Sequence, residues 1–91
     1  MGPVETRIVT ALRAAFTPTK LEVIDESHLH AGHAGARPEG ETHFRVIIEA
    51  EAFRGQSRVQ RHRMVNEAVA AELAGPVHAL AIRAEPPADP A

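Results

Sequence analysis

Ninety-one residues carrying 10 Lys and Arg against 12 Asp and Glu, for a formal net charge of −2, make one small domain with no global attraction for phosphate backbones or anionic membranes. With no Cys, no Trp, no Tyr and three Phe, disulfides, thiol catalysis and an autonomous thiolate-held zinc or iron-sulfur site are excluded, and base stacking on aromatic platforms has little to work with. No stretch approaches the roughly 20 apolar residues of a membrane span, and no basic segment leads into an apolar run at the amino end, so a cytoplasmic protein is expected.

From Pro3 to Phe16, the apolar residues Val4, Ile8, Leu12 and Ala15 recur at helical spacing while Glu5, Arg7 and Arg13 take other faces; this predicts a first helix, closed by Thr17 and Pro18. Leu21 to Ser27 is rich in strand formers, with Leu21 and Val23 alternating against Glu22, and Asp25 and Glu26 mark its exposed end. His28 to Gly40 holds three Gly and one Pro without a hydrophobic period, a long connection for so small a domain and therefore functional or mobile. Thr42 to Ala50 alternates cleanly, Phe44, Val46, Ile48 and Ala50 against His43, Arg45, Ile47 and Glu49, which predicts the most secure strand. A turn from Phe53 to Ser57 leads into a second helix, where Ser57 and Gln60 have the spacing of a capping box. Val65, Val69 and Leu73, supported by Ala68, line its buried stripe until Gly75 and Pro76 end it. Val77 to Ala84 is the last strand. Residues 85–91, EPPADPA, read as a disordered acidic, proline-rich tail beyond a domain spanning 1–84. The order helix, strand, strand, helix, strand predicts an α+β sandwich, a three-stranded sheet with helices packed on one face.

Six histidines and a run of arginines carry what chemistry the chain has. In an extended backbone residues two apart share a face, so His28 and His30 can converge on one ion while His33 folds back through Gly32; a merely solvated loop is the other reading. His62 falls in the second turn of its helix between Arg61 and Arg63. Imidazole in its neutral form is a metal ligand. Local packing or capping is the plainer alternative. His43, on the polar face of its strand, and His78, sharing a face with Leu80 and Ile82, are expected to satisfy local hydrogen bonds. Arg54, Arg58, Arg61 and Arg63 form a patch with no acidic residue between Arg54 and Asn66, mostly near a positive helix end suited to phosphate, a carboxylate or an acidic partner surface. Glu49, Glu51 and Glu67 suggest no paired acid-base geometry and no Ser-His-Asp arrangement is evident, so catalysis is not expected.

Four segments, LEVIDES (Leu21 to Ser27), ETHFRVIIEAEAFRGQS (Glu41 to Ser57), VQRHRMVNEAVAAEL (Val59 to Leu73) and GPVHALAI (Gly75 to Ile82), resemble the BolA family in order and spacing, over nearly the whole chain. The most specific element is the turn with Phe53, Gly55 and Ser57, followed by Arg61-His62-Arg63 and then Val65 and Asn66. The resemblance implies the class II KH-like topology, α-β-β-α-(α)-β, with a short helical turn near Glu51 to Arg54. It also implies a non-enzymatic partner of a monothiol glutaredoxin in iron-sulfur cluster assembly or trafficking, or in iron sensing. A [2Fe-2S] cluster would be shared through His30 and His62, with His33 in reserve, and the thiolates would come from the partner and from glutathione; the isolated chain would hold no cofactor. Two histidines on one iron resemble a Rieske arrangement, which raises the reduction potential. The alternative is a DNA-binding transcriptional regulator that uses the KH-like fold and the arginine patch for weak phosphate contacts. The glycine-x-x-glycine match at Gly32 to Gly35 falls between strands, the wrong place for the nucleic-acid loop of KH folds.

Overall fold

Strand β2 (His43–Glu49) turns Phe44, Val46 and Ile48 to one side and Arg45, Ile47 and Glu49 to the other, and the first three are buried. It is paired on both edges, antiparallel to β1 (Lys20–Asp25) and parallel to β3 (Ala79–Glu85), in the order β1-β2-β3. The register sets Leu21 and Val23 beside Ile48 and Val46, and Leu80, Ile82 and Ala84 beside Phe44, Val46 and Ile48. These apolar residues therefore share one face, while Ile24 and Ile47 lie on the other. The computed structural model describes residues 2–27 and 40–88. It packs α1 (Pro3–Phe16) and α2 (Arg58–Ala68) on that face, where Val4, Ile8, Leu12 and Val65 join the strand residues in a single core. A short α3 (Ala70–Ala74) follows α2, and a 3₁₀ turn (Glu51–Phe53) lies between β2 and α2. This is the α+β sandwich expected, with the short helical turn in its expected place.

Several boundaries differ from the sequence reading, each for a tertiary reason. Ala15 of α1 is exposed and Phe16 takes its place against the core, its ring 4.9 Å from that of Phe53. Such an aromatic pair contributes about 0.5–1.5 kcal/mol beyond its buried area. The second helix is not continuous. Val69 leaves helical geometry (φ −111°, ψ 23°) although no Gly or Pro lies there, and its side chain is buried. Beyond it, Glu72 in α3 pairs with Arg7 in α1, both carboxylate oxygens 3.1 Å from Nε. At β3, Val77 belongs to the core and His78 precedes the strand, exposed rather than aligned with Leu80 and Ile82. Glu85 closes β3 instead of opening the tail, its carbonyl accepting from Ala50 N–H at 3.1 Å; residues 89–91 lie outside the described residues.

Strand β1 ends at Asp25, and the next residues build a polar clasp that sequence periodicity does not announce. Asp25 is half-buried rather than an exposed strand end. Its Oδ1 accepts from Ser27 N–H at 2.9 Å and its Oδ2 from Glu41 N–H at 3.2 Å. Ser27 Oγ, buried, accepts from Thr42 N–H at 2.9 Å and from His43 N–H at 3.2 Å. The chain leaving β1 and the chain entering β2 are thus cross-linked across residues 28–39. Glu41 adopts a left-handed φ of 59°, unusual for a side chain of its size. In return its Oε2 accepts from Glu5 N–H at 3.0 Å and caps α1, whose own N-cap, Gly2, has no side chain to do so. A Cβ on residue 2 would collide with that carboxylate.

Removing the Ser27 hydroxyl strands two main-chain donors at buried positions. Ser27→Ala is expected to destabilise the fold by about 1–3 kcal/mol in urea unfolding with an unchanged slope. Thr10→Ala, whose exposed hydroxyl only returns to the Thr6 carbonyl of its own helix, should shift stability by less than about 0.5 kcal/mol.

Candidate functional site

The residues singled out around His62 are delivered by a turn that the sequence specifies tightly. Arg54 (φ −63°, ψ 130°) and Gly55 (φ +78°) are the central pair of a type II turn, closed by Gln56 N–H to the Phe53 carbonyl at 3.1 Å. Position i+2 of that turn needs positive φ, which explains Gly55. Phe53 is fully buried and anchors one side of the turn. On the other side Ser57 is the N-cap of α2, its Oγ accepting from Gln60 N–H at 3.1 Å, as its spacing to Gln60 predicts. His62 then sits half-buried in the second turn of α2.

The four arginines are not equivalent. Arg54 is paired with Glu51, Nε to Oε1 at 2.6 Å and Nη2 to Oε2 at 3.2 Å, and Nη2 also donates to the Pro87 carbonyl at 3.2 Å. The Arg54 hydrogen bond lowers the Glu51 carboxyl below its usual value; desolvation opposes this and the guanidinium charge reinforces it. Arg61 is half-buried, with Nε donating to the Gln56 carbonyl at 3.0 Å and Nη1 to the Ala84 carbonyl at 3.1 Å. Arg58 and Arg63 are exposed and have no acidic partner among the described residues. Only these two present uncommitted charge, beside Val59, which is 61% exposed. The Glu51-x-x-Arg54 spacing was a legible signal for the first pairing; the Arg61 bond to the distant Ala84 carbonyl had none.

Of the histidines, His28, His30 and His33 lie outside the described residues. His43 has the strand parity of the outer face yet is buried, with Nδ1 2.8 Å from Thr42 Oγ1 and its ring 5.3 Å from that of His78. The hydrogen-bonding role expected of His43 is thus observed, while its exposure is not as expected. No group of three or more His, Cys, Asp or Glu residues suited to a metal ion occurs among the described residues. The outer face of the sheet pairs its own charges, Arg45 with Glu26 at 3.1 Å, Arg83 with Glu85 at 3.3 Å and Lys20 with Glu22 at 3.7 Å. It offers no basic field for a polyanion. No helix among the described residues is long and apolar enough to cross a membrane. The start of α2 therefore combines one half-buried imidazole, two exposed guanidinium groups and an exposed valine.

BolA-like protein 1 of Mus musculus is 53% identical over 87 residues, covering 96% of this chain and 61% of that protein; the chain thus spans about three-fifths of that relative's length. The DNA-binding transcriptional regulator BolA of Escherichia coli (strain K12) is 44% identical over 79 residues, covering 87% of this chain and 71% of that protein. Among solved structures, the BolA domain of SufE1 from Arabidopsis thaliana superposes with a TM-score of 0.86 at 41% identity, covering 96% of this chain and 95% of that one. Neither these names nor the matched family indicates a catalytic protein. The family model for BolA-like proteins matches residues 12–89, from the middle of α1 past the end of β3, and with the sheet order and helix placement described above this chain belongs to the BolA family.

Proposed function

We propose that the chain acts as a non-enzymatic partner of a monothiol glutaredoxin, contributing imidazole to a [2Fe-2S] cluster that the two proteins share with glutathione. The observation that carries this reading is His62, half-buried on a capped and anchored helix start, in a chain that has no cysteine. The donor set fits a shared cluster and does not fit an autonomous one, because imidazole is present and thiolate is not. When bound, such a cluster supplies electron transfer or delivery of iron and sulfide; the chain's own residues hold and orient one edge of it. His62 is the rigid ligand. His30 is proposed as the second, with His33 as its substitute. Arg58 and Arg63 are placed to meet a carboxylate of glutathione or an acidic surface of the partner.

The isolated chain, reconstituted anaerobically with iron and sulfide, is expected to stay colourless. Co-expressed with a monothiol glutaredoxin, it should co-purify as a coloured heterodimer whose absorption and circular dichroism differ from those of the glutaredoxin alone. His62→Ala should remove that difference and leave a labile cluster held by partner thiolates. His30→Ala should weaken it, and the double change with His33→Ala should complete the loss. Wild-type cluster spectra and lifetime in the His62→Ala complex would overturn the assignment.

A second reading, a DNA-binding regulator, is favoured by the name of the Escherichia coli relative at 44% identity and by the two exposed arginines. Two phosphate contacts give a slope of log affinity against log salt near about −2, and removing Arg58 or Arg63 should reduce its magnitude by about 1. A gel-shift series over salt measures this. Tight binding to one sequence that survives physiological salt would promote the DNA reading over the cluster reading.

A further inference from the structure

Arg61 differs from the neighbouring arginines in what its guanidinium touches. Both of its acceptors are main-chain carbonyls outside α2: Gln56 in the turn before the helix, at 3.0 Å, and Ala84 near the end of β3, at 3.1 Å. Its own N–H donates to the Ser57 carbonyl at 2.9 Å. The residue immediately before His62 is thus tied by its backbone to the helix cap and by its side chain to both the turn and the sheet. The Ser57 cap restrains the end of the helix but does not reach the sheet; the Arg61 side chain does. A planar guanidinium presents donors in a fixed fork and bridges two separate acceptors, which an ammonium of equal charge on a flexible stem matches poorly.

We propose that Arg61 is a positioning residue for His62: its guanidinium clamps the first two turns of α2 to the end of β3 and so fixes the direction in which the imidazole is presented to a partner. The proposal rests on the reading of His62 as a shared ligand. A ligating side chain must be held within about 0.5 Å and 10–20° of its productive geometry by the residues around it, and α2 begins in a turn whose tip, around Gly55, is exposed. Arg61 therefore acts through geometry, whereas Arg58 and Arg63 offer exposed charge. The distinction is testable, because a role in charge survives replacement by lysine and a two-acceptor clamp does not.

The test compares Arg61→Lys and Arg61→Ala with Arg13→Lys, an exposed charge-preserving change in the last turn of α1. In the isolated full chain, well below the melting temperature of each variant, NMR reads the His62 ring resonances and the amide exchange of Arg61, His62 and Arg63. Both Arg61 variants are expected to shift and broaden the ring resonances and to speed local exchange by on the order of tenfold, while Arg13→Lys changes neither. In the co-purified glutaredoxin complex, Arg61→Lys should lose the imidazole-dependent spectral features much as His62→Ala does, with the heterodimer still forming. Ring resonances and exchange in Arg61→Lys identical to the parent, or full rescue by lysine of what alanine loses, would overturn the proposal. If Arg61→Lys disturbs the His62 ring but His62→Ala leaves the complex spectrum intact, the clamp stands and the ligand reading beneath it fails.

Discussion

The double pairing of β2 is the constraint on which the other elements depend. In a chain of 91 residues with three Phe and no Trp or Tyr, the core is thin, and its apolar area comes from short side chains that stabilise the fold only if they meet on one surface. Hydrogen-bonding β2 on both edges brings this about: Phe44, Val46 and Ile48 become the middle row, with β1 and β3 supplying a flanking row each. Helices α1 and α2 then have one continuous face to cover. Because side-chain direction has period two, a slip of one residue at either edge would turn a whole row to solvent. The register that makes the core is thus the register that places the ends of the strands.

At the His43 end, Ser27 and Asp25 bind the main chain of residues 41–43, so the two stems of the connection 28–39 are held at one point. Glu41 extends the link to the first turn of α1. At the Glu49 end, the chain passes through the 3₁₀ turn and the Gly55 turn into α2, and Arg61 ties that start back to β3 at Ala84. Arg54 does the same one step further along, at Pro87. Main-chain carbonyls near the end of β3 thus serve as acceptors that hold the arginine-rich segment in place, which is why a patch of four arginines presents only two exposed guanidinium groups without a partner among the described residues.

The start of α2 and the outer face of the sheet differ in how their charges are held. At the start of α2 the half-buried His62 is flanked by two exposed cations and an exposed valine. The outer face of the sheet, by contrast, neutralises its own charges pairwise, and surface pairs of this kind add little to stability. At the start of α2, Arg58 and Arg63 have no such partner among the described residues.

Much of this was legible in the sequence, for physical reasons that are local. Period-two alternation from Thr42 to Ala50, helical spacing in Pro3 to Phe16, the Ser57 cap and the Gly55 turn each depend on residues within a few positions of one another, and each lies where the sequence placed it. The absence of cysteine by itself decided that any cluster must be shared. The tertiary structure alone decided the rest: the break of the second helix at Val69 without a local breaker, the burial of His43 despite its outer-face parity, the Ser27 clasp, and the anchoring of Arg61 at Ala84. Several of these residues have a partner far along the chain, Thr42 for Ser27, Arg7 for Glu72, Ala84 for Arg61. Sequence periodicity reports which face a residue occupies, but which distant carbonyl or carboxylate waits there is set only when strands and helices are packed together.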